Sequence, residues 1–270
     1  MTKPVLWHIP VSHFSEKARW ALAWKGVEHE RRAPLPGAHI AIALWLTRGA
    51  QMTFPVLRLD ERNIGDSTAI IAALEQRWPD PPLYPEDPQA RAHALELEEF
   101  FDERLGPQIR LLAWHELRTD REQMATLSRT MLPGPMRDFG PAVAAGGAFG
   151  SAYVQLRFRV ASDEAAALAG DQVLAAFERL ESELDRGDGE FLIGDAFSVA
   201  DLTAASLFYP IVNPPEGPSV FGDAPPRLEE FFAPLRERPG GQWIAETFRR
   251  YREPETSTTA SISTGTSNGS

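Results

Sequence analysis

Along the first 80 residues the apolar positions switch between two periods. Val5-Leu6-Trp7-His8-Ile9 is a short apolar run closed by Pro10 and predicts a strand. From Ser15 the stretch EKARWALAWKG sets Ala18, Ala21 and Leu22 at helical spacing, with Gly26 as a C-terminal stop. Residues 27–32 predict a second, more polar strand, and residues 40–46 a short helix after a Pro/Gly-rich loop. Residues 53–59 predict a strand entered through Pro55, and a turn over 60–63 leads to another at Ile64. Gly65-Asp66-Ser67 then opens the helix TAIIAALEQRW, completing the order β-α-β-α-β-β-α.

That order is the thioredoxin-like arrangement, expected over residues 1–80. Pro79, Pro81, Pro82, Pro85 and Pro88 follow at once; proline stiffens the chain and cannot continue a helix, so residues 81–90 read as a linker. Beyond it the pattern is helical, and residues 91–253 are expected to form an all-helical domain. The long amphipathic segment from Ala90 to Leu117 is expected to bend near Gly106-Pro107. DQVLAAFERLESELDR predicts another helix, and a third opens at Ser198. There Ser198 at the N-cap, Asp201 at N3 and the flanking Phe197 and Leu202 make a capping box with a hydrophobic staple. Residues 118–165 mix helical runs with breakers such as LPGP and FGPAVAAGGAFG, and are expected to be helical pieces around an irregular stretch. Residues 254–270, rich in Ser, Thr and Gly, are expected to be a disordered tail.

Composition narrows the chemistry. With 270 residues, 43% of them hydrophobic, the chain can bury one large core or two small ones. No apolar run reaches the ~20 residues that span a bilayer, and the N-terminus lacks a signal-peptide pattern, so the cytoplasm is the expected location. A formal net charge of −11 argues against nucleic acid and anionic membranes as partners. The chain has no cysteine, which excludes disulfides, thiolate metal sites and a protein thiol as nucleophile. Its six histidines show no metal-ligand spacing, so no metal is expected.

Three local features carry candidate chemistry. In SHFSEKARWAL, Ser12 stands between a strand end and a helix N-terminus, where the helix dipole favours an anion and a hydroxyl can donate to a thiolate; equally, Ser12 or Ser15 caps the helix. Pro55 opens its strand either as an ordinary trans proline or through a cis bond, which would turn the backbone of Phe54 outward to pair with a peptide-like ligand. Asp66 and Ser67 either cap a helix or bind an amino-carboxylate, the Ser hydroxyl and backbone N–H taking the carboxylate and Asp66 the ammonium.

Taken together, and in this order, these features resemble the cytosolic glutathione transferases over roughly residues 4–250. Ser12-His13-Phe14-Ser15 with Lys17 and Arg19 is similar to that family's serine-containing run; Phe54-Pro55-Val56-Leu57 resembles its cis-proline segment; Asp66-Ser67 resembles its glutathione-binding pair. Residues 194–202 resemble the start of its central C-domain helix. The resemblance implies a thioredoxin-like α/β domain followed by an all-α bundle, with glutathione as co-substrate. In the serine-type, bacterial-like pattern Ser12 would be the catalytic residue that holds the thiolate. Phe54, Pro55, Asp66, Ser67 and His13 would contact glutathione, and Phe14, Arg104 and Gln108 would line the pocket of a small hydrophobic electrophile. The first long helix would offer that pocket Phe100, Phe101, Leu111 and Leu112 as well.

A detoxifying homodimer is the expected setting. The strand-end tyrosine of other classes is absent, leaving His8 either a rival proton acceptor or a packed side chain. His13 replaces a common proline, and no clear basic residue near His39 or Arg48 is placed to meet the glycyl carboxylate. A non-catalytic transferase-like module that binds a ligand or a protein is the alternative.

Overall fold

The structure, a computed structural model, describes residues 2–252 apart from residues 36, 133, 159, 161 and 219–223. Residues 254–270, read from sequence as a disordered tail, lie outside the described residues.

Four strands form one sheet in the order β2-β1-β3-β4: β1 (Val5–Trp7), β2 (Glu30–Arg32), β3 (Val56–Leu59) and β4 (Arg62–Gly65). β1 runs parallel to β2 and antiparallel to β3, with Leu6 opposite both Arg31 and Leu57; β3 and β4 make an antiparallel hairpin. The strands are shorter than the apolar runs that predict them, because Pro10 and Pro55 cannot donate to a ladder. α1 (His13–Trp24), α2 (Ala38–Leu46) and α3 (Ser67–Arg77) complete a thioredoxin-like domain. Gly26, at φ +61°, makes the left-handed turn that ends α1.

The rest is helical: α4 (Pro88–Phe100), a π-helical turn (Phe101–Leu105), α5 (Gly106–Leu117), α6 (Arg121–Met131), α7 (Gly134–Arg137), α8 (Gly140–Phe158), α9 (Asp163–Leu184), α10 (Val199–Val212), α11 (Pro226–Arg236) and α12 (Pro239–Tyr251). The irregularity expected near Gly106-Pro107 takes the form of this π turn just before them. The stretch at 118–165 is more regular than its breakers suggest. α8 runs unbroken through AAGGAFG because it packs tightly on α6: a side chain at Gly147 would sit 3.1 Å from the backbone nitrogen of Ala125. Here glycine permits close approach, and the packing outweighs its low helix propensity.

One apolar core joins the halves. Leu6, Trp20, Leu22, Leu57 and Ile71 belong to the same buried cluster as Phe101, Phe177, Leu202, Phe208 and Phe248. The proline-rich connection is tied down rather than loose: Lys25 Nζ donates to the carbonyls of Pro79 (3.1 Å) and Pro81 (2.6 Å), and Val199 N to that of Leu83 (2.8 Å).

The capping box at α10 forms as its spacing predicts. Ser198 Oγ accepts from Ala200 N (3.3 Å), and Asp201 accepts from Ser198 N, Ser198 Oγ and Leu192 N at 2.8, 2.7 and 2.8 Å. All of these groups are buried. Replacing Asp201 by alanine therefore strands three buried donors, and Asp201→Ala is expected to cost about 3 kcal/mol in urea denaturation. A loss below about 1 kcal/mol would contradict this account of the turn.

Candidate active site between the two domains

The loop from Ile9 to Ser12 is fixed at several points. Ser12 N donates to Ile9 O (3.0 Å), Arg19 Nη2 to Pro10 O (3.2 Å), and Tyr209 Oη of α10 to Val11 O (2.9 Å). Ser12 is the N-cap of α1, its Oγ accepting from Ser15 N at 3.2 Å. The cap uses the oxygen as acceptor and leaves its O–H proton free to donate, so capping and anion binding are compatible in one side chain.

Beside Ser12 opens a cavity of about 660 Å³. Its N-domain wall contains Ser12, His13, Phe14, His39, Phe54, Pro55, Asp66 and Ser67. The Phe54-Pro55 bond is cis, and among the described residues the backbone N–H and C=O of Phe54 take no hydrogen bond. Asp66 sits at φ +75° as the N-cap of α3, one carboxylate oxygen accepting from Thr68 N (2.9 Å) and Ala69 N (3.2 Å). A positive φ is uncommon for a side chain other than glycine, and such backbone clusters at binding sites. Ser67 is buried at the first turn of the same helix.

A buried ion cluster props this corner. Lys17 Nζ, wholly buried, lies 2.8 Å from Glu98 Oε1, 2.5 Å from Asp102 Oδ2 and 3.0 Å from Thr68 Oγ1. Burial disfavours the ammonium, but the carboxylates of Asp102 and Glu98 more than offset it and hold its pKa above the ordinary lysine value.

His8 and His13 have different surroundings. His8 does not line the cavity; its Nδ1 is 2.8 Å from Arg19 Nη1. Burial first, then Arg19, drives its pKa well below the usual histidine value. His13 does line the cavity, 5% exposed, and its Nε2 has no hydrogen-bond partner among the described residues. Burial, reinforced by Arg110, lowers its pKa to about 3, so it is neutral at physiological pH. His39 joins the domains: its Nδ1 accepts from Gly37 N (3.1 Å), and its Nε2 is 3.3 Å from Tyr153 Oη of α8.

The helical wall differs from expectation. Phe14 lines the cavity, its ring seated over Gly106, where a Cβ would come within 2.4 Å of Cζ. Arg104 and Gln108 do not line it; Arg104 is exposed and Gln108 half-buried, while Glu103, Pro107, Arg110 and Trp114 take the wall positions. Phe100, Phe101, Leu111 and Leu112 are also absent from it, Phe101 being wholly buried in the core. Glu99, Glu103, Pro107, Arg110, Trp114 and Leu117 keep three- and four-residue spacing through the π turn and make one continuous face, whereas Phe100, Arg104, Gln108 and Leu111 each stand one residue further on, about 100° round the helix. Sequence reasoning also missed Asp102, Ser128 and Tyr153. The last two stand on α6 and α8, in the segment whose breakers hid its helices.

The family model for the glutathione S-transferase N-terminal domain matches residues 6–82, and that for the C-terminal domain matches residues 163–233. The chain belongs to the glutathione S-transferase superfamily. It is 37% identical over 94 residues to a maleylacetoacetate isomerase of Rattus norvegicus, a match covering 33% of this chain and 43% of that one. The chain thus spans less than half the length of the first curated relatives it matches. Among solved structures, the glutathione transferase GSTFuA3 of Phanerochaete chrysosporium superposes with a TM-score of 0.61 at 18% identity, over 93% of this chain and 98% of that one. A glutathione S-transferase of Methylobacterium radiotolerans, solved with glutathione sulfonate, has a TM-score of 0.51 at 20% identity, over 97% and 100%. At these identities the solved structures establish the shared fold. No described helix is long and apolar enough to cross a membrane, and no described group of three or more His, Asp or Glu could hold a metal ion.

The ion cluster has a testable energetic signature. Lys17→Met leaves two carboxylates at the domain boundary without their cation and is expected to cost about 3–5 kcal/mol in chemical denaturation. Neutralising the partners as well, with Glu98→Gln and Asp102→Asn, should recover much of that loss, because no uncompensated charge then stays buried. If the triple variant is as unstable as the single one, charge pairing is not what Lys17 supplies.

Proposed function

We propose that the chain is a glutathione-dependent transferase in which the Ser12 hydroxyl donates a hydrogen bond to the glutathione thiolate. The observation that carries this reading is the meeting, on one cavity wall, of three complementary features: an unused O–H at the N-terminus of α1, an unpaired backbone at Phe54, and the Asp66-Ser67 turn. A tripeptide thiol fits them in order. Phe54 would pair with its cysteinyl unit as an added strand does, and Asp66 and Ser67 would take the ammonium and carboxylate of the γ-glutamyl end. The thiolate would then lie by Ser12, where the α1 dipole and a charge-assisted hydrogen bond favour S⁻. The solved relative that carries glutathione sulfonate supports the choice of thiol.

The reaction that follows is attack on an electrophilic carbon. The thiol proton goes to solvent, a sulfur–carbon bond forms, and a leaving group such as halide departs with its bonding pair. His8 is a poor base for this proton: it faces Arg19, away from the cavity, and is held neutral with its Nδ1 engaged. His13 adds an apolar ring edge and an unpaired nitrogen beside the thiol site rather than a titrating group. The cavity lining runs from Ile9 to Pro210, whereas the match to the Rattus norvegicus isomerase covers 94 residues, so that protein's substrate is not carried over to this chain. We also read the working form as a cytoplasmic homodimer, in keeping with the family.

The role of Ser12 fixes a pH dependence. A hydrogen bond to the thiolate favours the charged form and lowers the thiol pKa below its free value of about 8.5, so activity rises with pH through that lowered value. In Ser12→Ala the acid limb of the kcat/KM profile should move up toward about 8.5, and the rate near pH 7 should fall about 10²- to 10³-fold. Glutathione affinity by calorimetry should change little. The loss of the cap costs about 1 kcal/mol of stability, which a parallel thermal melt separates from the rate effect. Ser12→Thr, which keeps cap and hydroxyl, should retain the profile. An unshifted acid limb in Ser12→Ala would remove the hydroxyl from the mechanism; absence of any glutathione binding by the parent protein would favour a non-catalytic module.

A further inference from the structure

Arg110 is the unusual charge in this cavity. It projects from α5 into the helical wall, more than half buried, with its guanidinium carbon 4.7 Å from the centre of the Phe158 ring and 5.9 Å from that of Phe14. Among the described residues it has neither a carboxylate partner nor a hydrogen bond. The other charged and titratable groups that face it make matters worse or are neutral: Arg157 is a second cation, His13 is held neutral, and Tyr153 is a phenol whose pKa burial raises. Burial, then Arg157, disfavours its charge. Elsewhere in the molecule the buried cations at Lys17 and Arg19 are neutralised by carboxylates of the chain itself. A half-buried guanidinium left unpaired in a cavity is costly unless a ligand supplies the anion.

Resting on the transferase reading above, we propose that Arg110 is an anion-binding residue of the electrophile pocket and selects electrophiles that carry a carboxylate on an apolar or aromatic body. The surroundings suit that shape. Phe14, Phe158 and Trp114 offer flat apolar surface, and the planar guanidinium can meet a carboxylate with two parallel hydrogen bonds. Tyr153 Oη and the buried Ser128 Oγ, which has no partner among the described residues, are further polar groups on the same wall. The carboxyl would dock on Arg110, leaving the reactive carbon toward the Ser12 side, since His13 and Phe14 join the two places along one turn of α1.

The test uses a matched pair of electrophiles: a chloronitrobenzoate, with chlorine ortho to nitro and para to the carboxylate, and the corresponding benzamide. Both react by the same displacement of chloride and have nearly the same shape; the amide lacks the negative charge but activates the ring more strongly, so the comparison is made on KM. The parent protein is expected to show the lower KM for the benzoate. Arg110→Gln should raise that KM about ten- to hundred-fold, the benzamide much less, with the KM for glutathione unchanged. Arg110→Lys should restore part of the benzoate preference. Equal losses with both electrophiles would overturn the proposal. So would a raised KM for glutathione, which would assign Arg110 to the glycyl carboxylate instead. If the parent turns over neither compound, the transferase reading is decided separately, by glutathione binding. The anion site is then decided by calorimetry with an unreactive nitrobenzoate: binding abolished by Arg110→Gln upholds it, and binding that is absent or unaffected by the substitution overturns it.

Discussion

Three charged side chains of α1, Glu16, Lys17 and Arg19, are buried, and a buried charge is tolerated only beside a partner of opposite sign. One pair closes within α1, and the other partners come from distant parts of the chain. Glu16 pairs with Arg19 Nε (2.7 Å) and with Arg252 Nε (2.6 Å) at the end of α12, while Lys17 reaches Glu98 and Asp102 across the domain boundary. Burial works against the Glu16 carboxylate, yet the two guanidiniums more than offset it and keep its pKa below the usual glutamate value. The position of α1 thus depends on the helical domain and on the last helix together. Ser12 is the cap of that helix, so the same pairing that satisfies three charges also sets where a hydroxyl meets the cavity.

The two walls of the cavity are built by different physics, and this explains how far each could be read from sequence. The thioredoxin-like wall is made of backbone features. A cap at Ser12, a proline at a strand entrance and an acidic cap at Asp66 each announce themselves in a few adjacent residues, because local steric rules produce them. The order of strands and helices was legible for the same reason. The helical wall depends on which face of α4 and α5 turns to the cavity, and an amphipathic pattern does not by itself separate a cavity face from a packed one. Glu103, Pro107 and Arg110 hold that face at helical spacing, and Arg104 and Gln108, each one residue after a wall position, stand about 100° round the helix. α8 is obscured by its glycines, which look like breakers until α6 is known to lie against them.

The division also bears on what can vary. On the proposed reading, features of the first wall would hold a constant group by main-chain contacts and a hydroxyl. The second wall consists of side chains on α4, α5, α6 and α8 that can be exchanged while the helices keep their packing. On that reading the chemistry of the thiol and the choice of its partner would be separable, the first fixed by α1 and the sheet, the second set by the helical domain.

Electrostatics in the cavity run against those of the whole molecule. A chain of net charge −11 repels anions at a distance, yet at physiological ionic strength fields from exposed charges fade over about 8 Å. Within the cavity the nearest groups decide. The corner by Asp66 is acidic, with Glu98 and Asp102 neutralised in part by Lys17, and it suits an ammonium. The wall by Arg110 carries positive charge, with His13 held neutral and adding none of its own. A zwitterionic thiol at one end and an anionic electrophile at the other would each meet its complement.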